Sequence, residues 1–97
     1  MTRSFILLLA FFGLCGAATA GKIKPSSIEL ARAIKSHTNQ PVQTGNVRAI
    51  NCSGFPEEPT EFECRWEQLA KGQWRRFSAY LAVDKSGWII IDGPHPE

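Results

Sequence analysis

The sequence has few of the residues from which metal sites and catalytic sites are built. It contains two histidines, His37 and His95, and three cysteines. Neither histidine has a second ligand at the spacing of a metal site. No G-x-G-x-x-G dinucleotide fingerprint occurs, and no glycine-flanked nucleophile precedes a helical segment. The sequence therefore predicts no metal, no cofactor and no activated nucleophile.

Charge of one sign and long apolar runs are also scarce. The chain has 11 Lys+Arg against 9 Asp+Glu, a net charge of +2. So small an excess gives no case for binding nucleic acid or an acidic membrane surface. The longest apolar block, Phe5 to Leu14, has ten residues, whereas a membrane-spanning helix needs about 20. We therefore expect no membrane span in the mature protein.

The first 20 residues are typical of a cleavable secretory signal peptide. Arg3 precedes the apolar block, and Ala18-Thr19-Ala20 supplies the small residues that precede a signal-peptidase cut. Removal of Arg3 leaves 10 Lys+Arg against 9 Asp+Glu, a net charge of +1. The prediction is a signal peptide at 1–20 and one domain at 21–97, in the periplasm or secreted. An uncleaved anchor and a lipoprotein acylated at Cys15 are the alternatives.

The mature segment predicts an α+β fold, with one N-terminal amphipathic helix packed on a three- to four-stranded antiparallel β-meander. Ser26 and Glu29 form a capping-box pattern, so the helix should begin at Ser27 and run to His37. Its predicted buried arc contains Ile28, Leu30, Ala31 and Ile34. From residue 42 onward the apolar period changes to two. Strands are predicted near 47–52, 61–69, 73–84 and 88–92.

The strand registers can be derived from the turns. A two-residue turn at Lys71-Gly72 places Trp66 opposite Phe77 and puts the apolar residues of both strands on one side. A four-residue turn at 84–87 would place Val83 opposite Ile89. The predicted core is then Phe62, Trp66, Phe77, Ala79, Leu81, Val83, Ile89 and Ile91.

Two cysteines remain in the mature segment, Cys52 and Cys64, and an even count in an exported protein predicts that they pair. Placing them directly opposite each other also places Ile50 opposite Trp66, on the core side of the sheet. The disulfide is thus predicted to join the first two strands beneath a long connection at Ser53 to Thr60.

The other side of the predicted sheet is the candidate binding face. The registers place four residues there: Trp74, Arg76, Tyr80 and Trp88. Aromatic residues and arginine are enriched in protein interfaces, which favours a protein partner for this face or for the Ser53 to Thr60 loop. The alternatives are that these side chains are half-buried spacers beside long charged neighbours, or that the leader Gly21 to Lys24 covers them.

Two other classes of function stay open beside a binding module. A small hydrolase could use Glu57, Glu58 or Glu61 as a general acid or base, although Glu61 alternates with apolar residues as on the wet side of a strand. A structural component of the cell envelope, with no discrete ligand, is the other alternative.

The stretch from Thr60 to Asp92, with its FECRW, GQWRR, YLAVD and GWIIIDG segments, resembles a family of small exported proteobacterial proteins with no assigned activity. That resemblance covers about a third of the chain. The outline of a helix followed by a meander is also similar to cystatin-like domains, which are secreted protease inhibitors. Gln40 to Gly45 departs from the Q-x-V-x-G motif of cystatins by one residue, so this likeness concerns the fold alone.

Overall fold

The computed structural model describes residues 23–97. The predicted signal peptide at 1–20 and Cys15 lie outside the described residues. The described elements are α1 (Ser27–Thr38), a 3-10 turn (Thr44–Asn46), β1 (Val47–Phe55), β2 (Glu58–Ala70), β3 (Gln73–Asp84) and β4 (Gly87–Pro96). The strands form an antiparallel meander in the order β1-β2-β3-β4, which confirms the predicted α+β class. Within residues 23–97 no helix is long and apolar enough to cross a membrane.

Helix α1 begins where the capping box predicts. The Ser26 hydroxyl accepts from the Glu29 amide at 3.1 Å, and the Glu29 carboxylate accepts from the Ser26 amide at 2.9 Å. Asn39 ends the helix in the left-handed conformation. The buried face of α1 consists of Leu30, Ala31, Ala33 and Ile34. The prediction that Ile28 is buried is wrong, because this side chain lies in the first turn and remains exposed.

The central hairpin β2-β3 has the predicted register. Trp66 pairs with Phe77 across the two strands, and Lys71 and Gly72 occupy the turn with positive φ angles. Two consecutive residues in this conformation match the right-handed twist of the flanking strands, as in a type I′ turn. The apolar alternation of both strands therefore lies on one side of the sheet.

The disulfide between Cys52 and Cys64 is present, and the two residues are directly opposite in the β1-β2 ladder. Two details of this hairpin differ from the prediction. Ala49, with φ 56°, and Ile50 together oppose Trp66 in a β-bulge, so the one-to-one register ends at Asn51. The predicted loop at Ser53 to Thr60 is instead a continuation of both strands around a tight turn, in which Phe55 pairs with Glu58.

The register of β4 differs from the predicted one by one residue. Gly87 pairs with Asp84, so the turn has two residues and Val83 lies opposite Trp88 instead of Ile89. The Asp84 carboxylate accepts from the Ser86 hydroxyl at 2.6 Å and from its amide at 2.8 Å. These hydrogen bonds close the tight turn and hold the pKa of Asp84 below its ordinary value.

The one-residue difference in register also changes which residues of β4 belong to the core. Ile90 is buried opposite Leu81, whereas Ile89 and Ile91, both predicted to be core, are 51% and 47% exposed. The core lies between α1 and one side of the sheet, and α1 contacts both edge strands. Its buried members are Leu30, Ala33, Ile34, Val47, Phe62, Cys64, Trp66, Ala79, Leu81 and Ile90.

Gly93 lies where β4 approaches β3 most closely. Its φ is 109°, and a Cβ atom at this position would lie 3.0 Å from both the Ala79 Cβ and the Ser78 carbonyl oxygen. Gly93→Ala should therefore lower the free energy of unfolding by about 1–3 kcal/mol, because it combines a disfavoured backbone region with a clash against backbone. Gly45→Ala is the matched control, since nothing lies within 4 Å of the added methyl group. Urea unfolding followed by circular dichroism should show a lower midpoint for Gly93→Ala alone, and equal midpoints would contradict this account.

Candidate binding face on the open side of the sheet

The side of the sheet that faces away from α1 is called the open face here. Residues of β2 and β3 that alternate with the buried Cys64, Trp66, Ala79 and Leu81 belong to it, as do their cross-strand partners. The open face carries Arg48, Asn51, Glu63, Arg65, Glu67, Trp74, Arg76, Tyr80, Asp92 and His95. No second layer among residues 23–97 covers these side chains.

Trp74 lies at one end of the open face within a ladder of three side chains. The Arg48 guanidinium carbon is 3.7 Å from the centre of the Trp74 ring, a cation–π contact. The Arg48 Nε donates to Glu67 Oε1 at 2.6 Å, which fixes the guanidinium from its other side. Trp74 remains 38% exposed. The ladder holds the indole in place while leaving part of its surface to solvent.

Tyr80 lies towards the other end of the same strand and is 42% exposed. Its ring centre is 6.0 Å from that of Phe55, in a tilted arrangement. Phe55 is therefore a member of the open face that the sequence pattern does not reveal, because that pattern predicts a loop at Ser53 to Thr60. The segment Gly54-Phe55 is too short to show the alternation of apolar and polar residues that marks a strand.

The open face thus combines three of the four residues predicted for it. Trp74, Arg76 and Tyr80 share this side of β3, but Trp88 does not. Because the observed register of β4 differs from the predicted one by one residue, Trp88 packs on the core side. Its ring centre is 5.5 Å from that of Phe62. The prediction that Trp88 belongs to the binding face is therefore corrected.

Ion pairs surround a shallow polar pocket in the middle of the open face. The Glu97 carboxylate bridges two arginines, with Oε2 at 3.0 Å from the Arg65 Nε and Oε1 at 3.9 Å from the Arg76 Nε. Glu63 approaches Arg65 at 3.5 Å. Beside this cluster lies a cavity of about 240 Å³ lined by Ala49, Asn51, Arg65, Trp66, Glu67 and Arg76.

The three glutamates considered for a hydrolase do not form a common site with other groups. Glu57 occupies the β1-β2 turn, Glu58 begins β2, and Glu61 pairs with Ala82 further along. Within residues 23–97 none of the three makes a side-chain hydrogen bond or ion pair. The same residues contain no group of three or more His, Cys, Asp or Glu that could hold a metal ion.

Comparison with known proteins identifies no relative: no family model, no curated protein and no solved structure matches the chain.

Proposed function

We propose that the chain is a non-enzymatic binding module, of accessory or inhibitor type, that recognises a protein partner through the open face. The observation that carries this proposal is the pair of partly exposed aromatic rings on β3. Trp74 and Tyr80 stand on one side of the strand with Arg76 between them. Tryptophan, tyrosine and arginine are the residues that most often supply the binding energy of protein interfaces.

The support of these rings favours recognition over a merely solvated surface. β3 is paired with β2 along its length, and from Phe77 onward also with β4, so the backbone at Tyr80 is held by two ladders and that at Trp74 by one. Trp74 is stacked by Arg48, and Tyr80 is tilted against Phe55. Side chains held in this way lose little conformational entropy on association, which leaves more of the contact energy as affinity.

The disulfide supports an extracytoplasmic location for this binding. Disulfides persist in the periplasm and outside the cell, and are rare where thiols are kept reduced. Together with the signal-peptide pattern of residues 1–20, the Cys52–Cys64 bond favours a periplasmic or secreted module.

The test is a comparison of partner affinity between variants of the open face. A photo-crosslinking residue in place of Ser78, which lies between the two rings on the same side of β3, captures the partner from the extracytoplasmic fraction, and mass spectrometry identifies it. Calorimetry with that purified partner should then show affinity at least about tenfold weaker for Trp74→Ala and for Tyr80→Ala, the loss expected of interface hot spots.

Ile28→Ala provides the matched control. Ile28 is an exposed apolar side chain on α1, on the other side of the molecule. Its truncation should leave the affinity unchanged, and circular dichroism should show all three variants folded. Equal affinity for wild type and both open-face variants would overturn the proposal.

A further inference from the structure

Glu97 shows what the open face can hold. Its carboxylate lies between two guanidinium groups contributed by neighbouring strands, Arg65 from β2 and Arg76 from β3. The Glu97 amide also donates to the Arg76 carbonyl oxygen at 2.9 Å, which places the side chain over the pair. Guanidinium groups present planar sets of donors that match the two oxygens of a carboxylate.

Glu97 uses only part of the donor capacity of this cluster. One of its oxygens is at hydrogen-bond distance from Arg65, whereas the other is 3.9 Å from Arg76. The Arg76 side chain is 71% exposed. Within residues 23–97, neither the Arg76 guanidinium nor the Asn51 amide donates a hydrogen bond to a protein acceptor. Donor groups that line a pocket and have no protein acceptor of their own favour an anionic ligand.

The pocket beside Arg65 and Arg76 has the size and charge for such a ligand. Its volume of about 240 Å³ is several times the roughly 30 Å³ that one water molecule occupies in the liquid. The negative lining residue, Glu67, is already neutralised by Arg48 at 2.6 Å. The lining residues Arg65, Arg76 and Glu67 therefore carry a net charge of +1. Glu63 and Glu97 approach Arg65 at 3.5 and 3.0 Å, so the more exposed Arg76 guanidinium is the main positive group that an entering anion meets.

We propose that Arg65, Arg76 and Asn51 form a carboxylate-binding site that takes an Asp or Glu side chain of the protein partner, with Glu97 as its internal occupant in the free protein. This inference rests on the proposed function, because it describes the partner of the same face. At about 3.4 Å per residue, Trp74 and Tyr80 lie roughly 7 and 14 Å from Arg76 along β3. The partner segment is accordingly acidic at its centre and apolar on both sides.

The site can be tested without the partner. The probe is the blocked peptide acetyl-Gly-Glu-Gly-amide, added to ¹⁵N-labelled protein and followed by amide and arginine Nε–H chemical shifts. We expect saturable shifts at Asn51, Arg65 and Arg76, and none with acetyl-Gly-Gln-Gly-amide, which has the same shape but no charge. Inorganic phosphate is a third arm, since it offers the same donors a different anion.

Neighbouring arginines provide a charge-matched pair of variants. Arg76→Gln and Arg75→Gln remove the same charge from adjacent residues. Arg75, which lies opposite Gln68 in the ladder, projects to the side of the sheet away from the open face. Arg76→Gln should weaken peptide binding at least about fivefold, as expected for loss of a charge-assisted contact. Arg75→Gln should leave it unchanged. Glu97→Gln should tighten it about two- to fivefold, because removal of the internal occupant raises the fraction of competent sites.

The outcomes separate this inference from the proposed function. Equal weakening by Arg75→Gln and Arg76→Gln would mean a general charge effect and would overturn the site. Binding of phosphate at lower concentration than the glutamate peptide would overturn its selectivity for carboxylates. If the peptide does not bind while Trp74→Ala and Tyr80→Ala still lose the partner, the carboxylate site alone is wrong.

Discussion

Trp66→Ala is expected to lower the free energy of unfolding by about 3–5 kcal/mol, the usual cost of deleting a large aromatic side chain from a core. Trp66 is 2% exposed and is the largest of the fully buried side chains. Its ring stacks on that of Phe77 with centres 6.5 Å apart, and its indole N–H donates to the Gln68 side chain at 3.0 Å. Urea unfolding followed by far-ultraviolet circular dichroism measures the change.

The matched control for this substitution is Trp74→Ala. It removes the same side chain from the open face, where the ring is 38% exposed and its described partner is Arg48. Loss of an exposed cation–π contact costs about 0.5–1 kcal/mol, so the variant should stay close to wild type in stability. Similar losses for the two variants would contradict the assignment of Trp66 and Trp74 to opposite sides of the sheet.

The central hairpin was predictable because two local signals agree. The turn at Lys71-Gly72 fixes which residues face each other, and the period-two pattern independently puts Trp66 and Phe77 on one side. A one-residue slip would move both rings to solvent, so the register is strongly determined. The same reasoning places Cys52 opposite Cys64, since the cysteines anchor β1 to a strand whose register is already set.

The errors arise where the backbone departs from a regular ladder. The bulge at Ala49 and the irregular pairing around Ile91 each add one residue to one strand of a pair. The residue types in these two segments do not predict the extra residue. In β4 the run Trp88-Ile89-Ile90-Ile91 is apolar throughout, so period two offers no choice of side. The turn length decides, and Gly87 can either end the turn or begin the strand. This ambiguity put Trp88 on the wrong side.

The candidate site was predictable in its aromatic part and not in its ionic part. Trp74, Arg76 and Tyr80 follow from the alternation of one strand. The bridge from Arg65 to Glu97 joins side chains 32 positions apart, and it depends on β4 extending beyond its predicted end at Asp92. Polar residues such as His95 and Glu97 show no apolar periodicity, so the sequence does not indicate that this segment continues β4 and lies beside β3.

The Cys52–Cys64 bond is expected to contribute about 2–5 kcal/mol to the stability of this domain, a large share of the roughly 5–15 kcal/mol that small domains possess. It links strands at a separation of 12 residues, and closing a loop of about this size accounts for about 3 kcal/mol in the chain-entropy model. Mass spectrometry of protein purified without a reductant should show two hydrogens fewer than the dithiol. Alkylation should occur only after denaturation and reduction, because the disulfide has no free thiol and the burial of Cys64 shields the bond from a reductant in the folded protein.

Two forms of the protein separate the cross-link from the packing of the sulfur atoms. Reduced wild type keeps both thiols in place and should lose only the constraint on the unfolded chain, whereas the double variant Cys52→Ala, Cys64→Ala also leaves a small cavity beside Trp66 and should be less stable still.

Cys64 projects to the core side of β2, and Trp74 and Tyr80 project to the open face. The double variant should therefore keep wild-type affinity for its partner under conditions in which circular dichroism shows it folded. Loss of binding by the folded double variant would mean that the recognised surface extends to the disulfide side of the sheet.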